Sequence, residues 1–114
     1  MSLNLKNRQV NDVTVVDVAG RITLGEGTNA MRDALDALVA GGSRKVLLNL
    51  AEASYIDSSG FGELVSGYTS LRRAGGSLKL LNPTQRIKSL LDMTNLSAIF
   101  DVHDDEARAV QSFG

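Results

Sequence analysis

Apolar residues change their spacing several times along this chain, and each change marks an element. Leu3 to Gln9 carries a few alternating apolar positions among polar ones, and the turn signal Asn11-Asp12 precedes Val13-Thr14-Val15-Val16-Asp17-Val18, so the spacing predicts a β-hairpin. Val13, Val15 and Ala19 fall on one side of the second strand, whereas Val16 and Val18 break strict alternation. That strand is therefore covered on much of both surfaces or carries a bulge, and Gly20 ends it. Gly25-Glu26-Gly27-Thr28 leads into a helix capped by Thr28 or Asn29. Met31, Ala34, Leu35, Leu38 and Val39 share one face of that helix, with Arg32, Asp33 and Asp36 off it, and Gly41-Gly42 stops it. Arg44 to Leu50 then has a nearly continuous apolar core, the pattern of a central parallel strand.

Past a short loop, Phe61, Leu64, Val65, Tyr68 and Leu71 recur at helical spacing to about Ala74. Arg72 and Arg73 complement the negative end of this helix and Gly75-Gly76 ends it. Leu78, Leu80 and Leu81 supply the next strand. Asn82-Pro83-Thr84 turns the chain into a helix whose buried stripe is Ile87, Leu90 and Leu91. After Met93, Leu96 and Ile99, a short edge strand around Phe100 to His103 and a helix from about Asp104 complete the order. Strands joined by crossover helices give right-handed connections, and ligands of such sheets collect at the carboxyl ends of the strands. Asp57 and Ser58 sit just past such an end.

Length and composition narrow the picture. A chain of 114 residues is near the commonest domain size, which predicts one domain over 1–114 that buries roughly two thirds of its unfolded surface. The absence of cysteine excludes disulfides, cysteine metal sites and thiol catalysis. A net charge of -1, with Lys and Arg scattered among Asp and Glu, gives no electrostatic case for nucleic acid. No apolar run approaches the ~18 residues of a spanning helix, and the N-terminus lacks the order of a signal peptide, so a soluble, cytoplasmic protein is expected. Met1-Ser2-Leu3 is given no function.

The stretch from Ser54 to Gly67 holds the candidate chemistry, centred on Asp57-Ser58-Ser59-Gly60. Asp, Ser and Gly together are what any loop uses to turn a chain and cap a helix. Hydroxyls at a helix start also face unpaired N–H groups and the positive end of the dipole, where an attached anion is stabilised, and that makes Ser58 or Ser59 a candidate phosphate acceptor. Gly60 and Gly62 each cost about 1 kcal/mol relative to Ala in a helix interior. Their presence implies close approach by another backbone or by a partner.

At these residues the chain resembles the STAS domain family, which includes sulphate-transporter tails and bacterial anti-sigma factor antagonists. The matching segment is Val46-Leu47-Leu48-Asn49-Leu50 followed by Tyr55-Ile56-Asp57-Ser58-Ser59-Gly60-Phe61-Gly62, with weaker support from Gly20-Arg21-Ile22, Gly75-Gly76 and Ile87 to Leu96. The resemblance implies an α/β fold: a single STAS-like domain with a mixed four- to five-stranded sheet and about four helices packed mainly on one face. It also implies a non-enzymatic partner-switching regulator of transcription, without cofactor. Such a protein binds an anti-sigma factor that is also a serine-protein kinase, and is released when the serine after the aspartate, here Ser58, is phosphorylated. A serine phosphatase would reset the cycle, and a weak dimer is compatible with the family. The partner-binding residues it implies are Asp57, Ser58, Ser59, Gly60, Phe61, Gly62 and Thr23. The chain departs from the family in having Phe61 for the usual Leu, and Thr23 for an acidic residue in a region used for partner contact. The alternative is a STAS scaffold subunit of a signalling or transport assembly whose serine is never modified.

Other chemistries fit poorly. Gly25-Glu26-Gly27-Thr28 lacks both the Lys-Ser/Thr of a P-loop and the three-glycine spacing of a dinucleotide site. His103 is the only histidine, and Ile56 stands where a nucleophile elbow has its first glycine, which argues against a hydrolase. One histidine without cysteine makes a poor zinc site. A phospho-aspartate receiver would show clustered acids upstream and Lys before Pro downstream, whereas Asn82 precedes the only Pro. Asp57 is expected to orient the serine hydroxyl or to bond the loop backbone.

Overall fold

The computed structural model describes residues 3–114; Met1 and Ser2 lie outside the described residues. The strands are β1 (Asn4–Val10), β2 (Val13–Ile22), β3 (Lys45–Ile56), β4 (Ser77–Leu81) and β5 (Val102–His103). They form one five-stranded sheet in the order β1-β2-β3-β4-β5. β1 runs antiparallel to β2 and every later pairing is parallel. The helices are α1 (Glu26–Ala40), α2 (Ser58–Arg73), α3 (Gln85–Met93) and α4 (Glu106–Gln111), with a 3-10 turn over Leu96–Ala98.

The hairpin closes with Val10 paired to Val13, and Asn11 (φ 56°) supplies the left-handed residue that matches a tight turn to the strand twist. In β2 both readings of its sequence hold together. Val16, Val18 and Ile22 enter the main core, Val13 and Val15 face the opposite side, and the register with β3 shifts between Asp17 and Ala19. The strand does not end at Gly20: it loses its β1 partner after Ala19 but continues to Ile22 against Tyr55 and Ile56.

β3 reaches Ile56 rather than stopping at Leu50. Its first half is held between β2 and β4, but β4 pairs only as far as Asn49, so its second half pairs with β2 alone. Only Ala53 and Ile56 are buried between Ala51 and Ile56, which is why the hydrophobic signal fades there. The predicted loop thus shrinks to Asp57. α1 also begins earlier than its predicted caps. Gly25 (φ 99°) is the cap, and Thr28 folds back so that its hydroxyl accepts from the Gly25 N–H at 3.2 Å; Asn29 N–H donates to the Gly25 carbonyl at 2.9 Å.

Three helices cover one face of the sheet. Met31 and Leu35 of α1, Phe61, Leu64 and Leu71 of α2, and Ile87 and Leu91 of α3 pack on Val16, Leu48, Leu50 and Leu80. Each fully buried large apolar side chain contributes roughly 1.5–3 kcal/mol, so this layer fixes where the start of α2 must sit. α4 alone covers the other face, with Ala109 and Val110 on Val13, Val15, Leu47 and Leu81. Arg8 of β1 ties it down, donating to Asp17 at 2.7 Å and to Glu106 at 3.0 and 2.5 Å. The sequence expectation of helices mainly on one face therefore resolves as three against one.

Candidate functional site

Asp57 is the single residue between the end of β3 and the start of α2. Its backbone is extended (φ -103°, ψ -176°), and its Oδ1 accepts from the Gly60 N–H at 2.8 Å, capping α2. Oδ2 accepts from the Leu24 N–H at 3.0 Å, which pins the β2–α1 loop to the same point. The Asp57 N–H donates to the Ile22 carbonyl at 3.3 Å. One carboxylate therefore fixes two loop-to-helix junctions at the carboxyl end of the sheet. The Leu24 N–H, and after it that of Gly60, hold this carboxyl below the usual Asp range because both bonds favour the charged form. Of the two expected roles, Asp57 takes the second: it bonds loop backbone, and Ser58 is not among its partners.

Ser58 occupies the first helical position of α2 and is exposed; Ser59 is half-buried. Since Asp57 already serves as the cap, the Ser58 hydroxyl is not needed for it, and no side-chain hydrogen bond to it exists among the described residues. The two glycines separate. Gly60 is buried, and a Cβ there would run into the Ile22 carbonyl oxygen and lie 2.6 Å from Ile56 Cγ1, so its missing side chain admits the end of β2, not a partner. Gly62 is exposed with nothing within 4 Å of its would-be Cβ. Phe61 is only 7% exposed and belongs to the core, where its bulk sets the floor of the surface above it. Thr23 is half-buried in the loop beside Leu24, its carbonyl accepting from Thr28 N–H at 3.0 Å.

A groove of about 940 Å³ opens beside Ser58 between α2 and α3, lined by Tyr55, Phe61, Val65, Arg86, Leu90 and Leu96 among others. The Arg21 and Arg86 guanidinium carbons each lie 5.0 Å from the centroid of the Tyr55 ring, at the end of β3. A family model for the STAS domain matches residues 4–109, almost the whole of this architecture. The chain belongs to the STAS domain family. The anti-sigma-B factor antagonist of Bacillus subtilis is 32% identical over 111 residues, covering 97% of this chain and all of that one. Among solved structures, a Thermotoga maritima protein superposes with a TM-score of 0.89 at 24% identity, covering 96% of this chain and 93% of that one. The anti-sigma factor antagonist SpoIIAA in its unphosphorylated form gives 0.72 at 18% identity, with 96% of each chain covered. The phosphorylated form of SpoIIAA gives 0.74 at 19%, covering 96% of this chain and 98% of that one. At these identities the solved structures speak for the STAS fold.

In this STAS domain Asp57 brings the serine motif and the Thr23–Leu24 loop together, a contact that the sequence reading did not foresee. Sequence reasoning missed Leu24, which is 76% exposed at the rim, and the grouping of Arg21, Tyr55 and Arg86. A lone leucine in a loop carries no signal. Arg86 carried one: it lies in the first turn of α3, where a cation opposes the helix dipole. His103 keeps away from the motif. Its Nε2 lies 3.4 Å from Ser112 Oγ and 3.6 Å from Asp101 Oδ2, and since both contacts use one ring nitrogen they do not form a triad.

Proposed function

We propose that this STAS domain is an anti-sigma factor antagonist that binds an anti-sigma factor kinase when unmodified and is released when Ser58 is phosphorylated. The observation that carries the reading is an exposed Ser58 hydroxyl at the first turn of α2, left free because Asp57 performs the capping. The Bacillus subtilis relative, an anti-sigma-B factor antagonist matched along its whole length, supports the same reading. A phosphoserine adds about -1.5 to -2 charges and three acceptor oxygens, which a helix N-terminus tolerates. The fold therefore survives the modification. A partner docked across Leu24, Thr23, Gly62 and the groove meets that charge at its centre, where desolvation and repulsion oppose binding. The domain acts by binding and release without a catalytic residue of its own, in the cytoplasm, and a serine phosphatase closes the cycle.

Tagged wild-type, Ser58→Ala and Ser58→Asp chains recovered from the native cell test this. Wild type and Ser58→Ala should retain a protein of serine-kinase type, Ser58→Asp should lose it at unchanged thermal stability, and mass spectrometry should place phosphate on Ser58. Phosphate found on Ser59 moves the site by one residue. Equal recovery by all three chains, with no phosphate at either serine, rejects the switch in favour of a scaffold role.

A further inference from the structure

Arg86 stands in an unfavourable place, and among the described residues a single ring contact is all that offsets it. It occupies the second position of α3, facing the positive end of that helix, and the first turn of α3 contains no acid. It takes part in no ion pair and no side-chain hydrogen bond among the described residues; the carboxylates that are paired serve Arg8, Arg32, Lys45, Lys79 and His103. Among the described residues its one specific contact is the Tyr55 ring, which Arg21 shares at the same 5.0 Å. The two arginines reach the ring from different elements. Arg21 stands opposite Tyr55 in the β2–β3 register, and Arg86 comes from α3.

Both guanidinium groups contact one ring, no carboxylate among the described residues pairs with either, and the groove beside them supplies no free anion. Arg86 is the only cation and Asp57 the only carboxylate in its lining. Both Asp57 oxygens are occupied by the N–H groups of Leu24 and Gly60. Ser58 lines the same groove, three residues after Tyr55, and its exposed hydroxyl is where a dianion would appear.

We propose that Arg86 is the receptor for the phosphate on Ser58: the guanidinium leaves the Tyr55 ring and makes paired N–H donations to two phosphate oxygens, with Arg21 as a neighbouring positive charge. This rests on Ser58 being the modified residue. Planar, two-point donation to phosphate is what arginine does and lysine cannot reproduce. Ser58 and Arg86 both line the groove between α2 and α3, so their pairing also covers part of the apolar surface that Val65 and Leu90 expose there, as well as adding charge. Release of a partner then follows from occlusion together with repulsion.

The test uses the full chain with phosphoserine incorporated at position 58 during translation, which makes it independent of any kinase. The second ionisation of the phosphate, ordinarily near pH 6, is followed by phosphorus NMR in the parent, Arg86→Ala, Arg86→Lys and Arg21→Ala. Direct pairing favours the dianion, so Arg86→Ala should raise the midpoint by about 0.5 pH or more, Arg86→Lys should fall between parent and Ala, and Arg21→Ala should move it less. A parent and an Arg86→Ala midpoint within ~0.1 pH of each other overturn the assignment, as does a larger effect from Arg21→Ala. Circular dichroism on each variant keeps a folding defect from being read as a lost contact. Absence of phosphate on Ser58 in the native cell removes the functional reading and leaves the titration result standing, so the two failures are told apart.

Discussion

Gly60 and Gly62 stand two residues apart in one helix and should respond to the same substitution with opposite signs. In Gly60→Ala the new methyl group meets the Ile22 carbonyl oxygen, Ile56 Cγ1 at 2.6 Å and Ile22 Cγ2 at 3.0 Å. The nearest of these is backbone, already accepting from Asp57 N–H, and it has no rotamer by which to step aside. Overpacking costs typically about 1–3 kcal/mol, and a clash with fixed backbone belongs at the upper end; the gain of alanine over glycine in a helix returns ~1 kcal/mol. A net loss of about 2 kcal/mol lowers the melting temperature by roughly 8 °C for a domain of this size. Gly62→Ala meets nothing within 4 Å, so it keeps the helix gain of ~1 kcal/mol and should melt about 4 °C higher than the parent. Thermal and urea unfolding followed at 222 nm read both. A Gly60→Ala chain as stable as the parent, or a Gly62→Ala chain less stable, refutes the packing argument. The same pair separates fold from docking: if Gly62 is open because a partner comes close, Gly62→Ala should be the more stable protein and the poorer binder.

Asp57→Ala should be less stable than the parent at neutral pH, because the carboxylate bonds to Leu24 and Gly60 are lost. With the folded carboxyl held below the unfolded value of about 4, that advantage is present above about pH 4 and drains away as acid protonates the folded group; a gap that stays constant into acid contradicts the assignment. Arg8→Ala frees α4 from β1, but the ion pairs with Asp17 and Glu106 are more than a third exposed, so urea unfolding should show a loss of only ~1 kcal/mol, smaller in about 1 M salt. A loss well above that, or one insensitive to salt, means that the cluster acts through packing. Leu24→Ser should leave the melting curve in place, since the side chain is 76% exposed, and weaken capture of the kinase-type partner by about tenfold; unchanged capture removes the β2–α1 loop from the docking surface.

Much of this was readable from residue order. The valines of β2, the run Val46 to Leu50, the stripe Phe61-Leu64-Val65-Tyr68-Leu71 and the glycine breaks at Gly41-Gly42 and Gly75-Gly76 each announce an element through local spacing, and the Asp57-Ser58-Ser59-Gly60 signature marks the start of the helix that carries the candidate site. Spacing fails where burial is partial. The second half of β3 has β2 on one edge only and buries just Ala53 and Ile56 between Ala51 and Ile56, so the chain reads there as a loop. α1 starts before Thr28 because Gly25 is its cap and Thr28, at the third helical position, reaches back to it; a threonine before an apolar stripe does not by itself say which of the two places it holds. Which glycine meets β2, that Asp57 holds the Leu24 N–H as well as capping its own helix, and that Arg21 and Arg86 converge on Tyr55 were decided by tertiary structure alone. Each is a contact between segments far apart in the chain, and the periodicity of one segment says nothing about which part of another will lie against it.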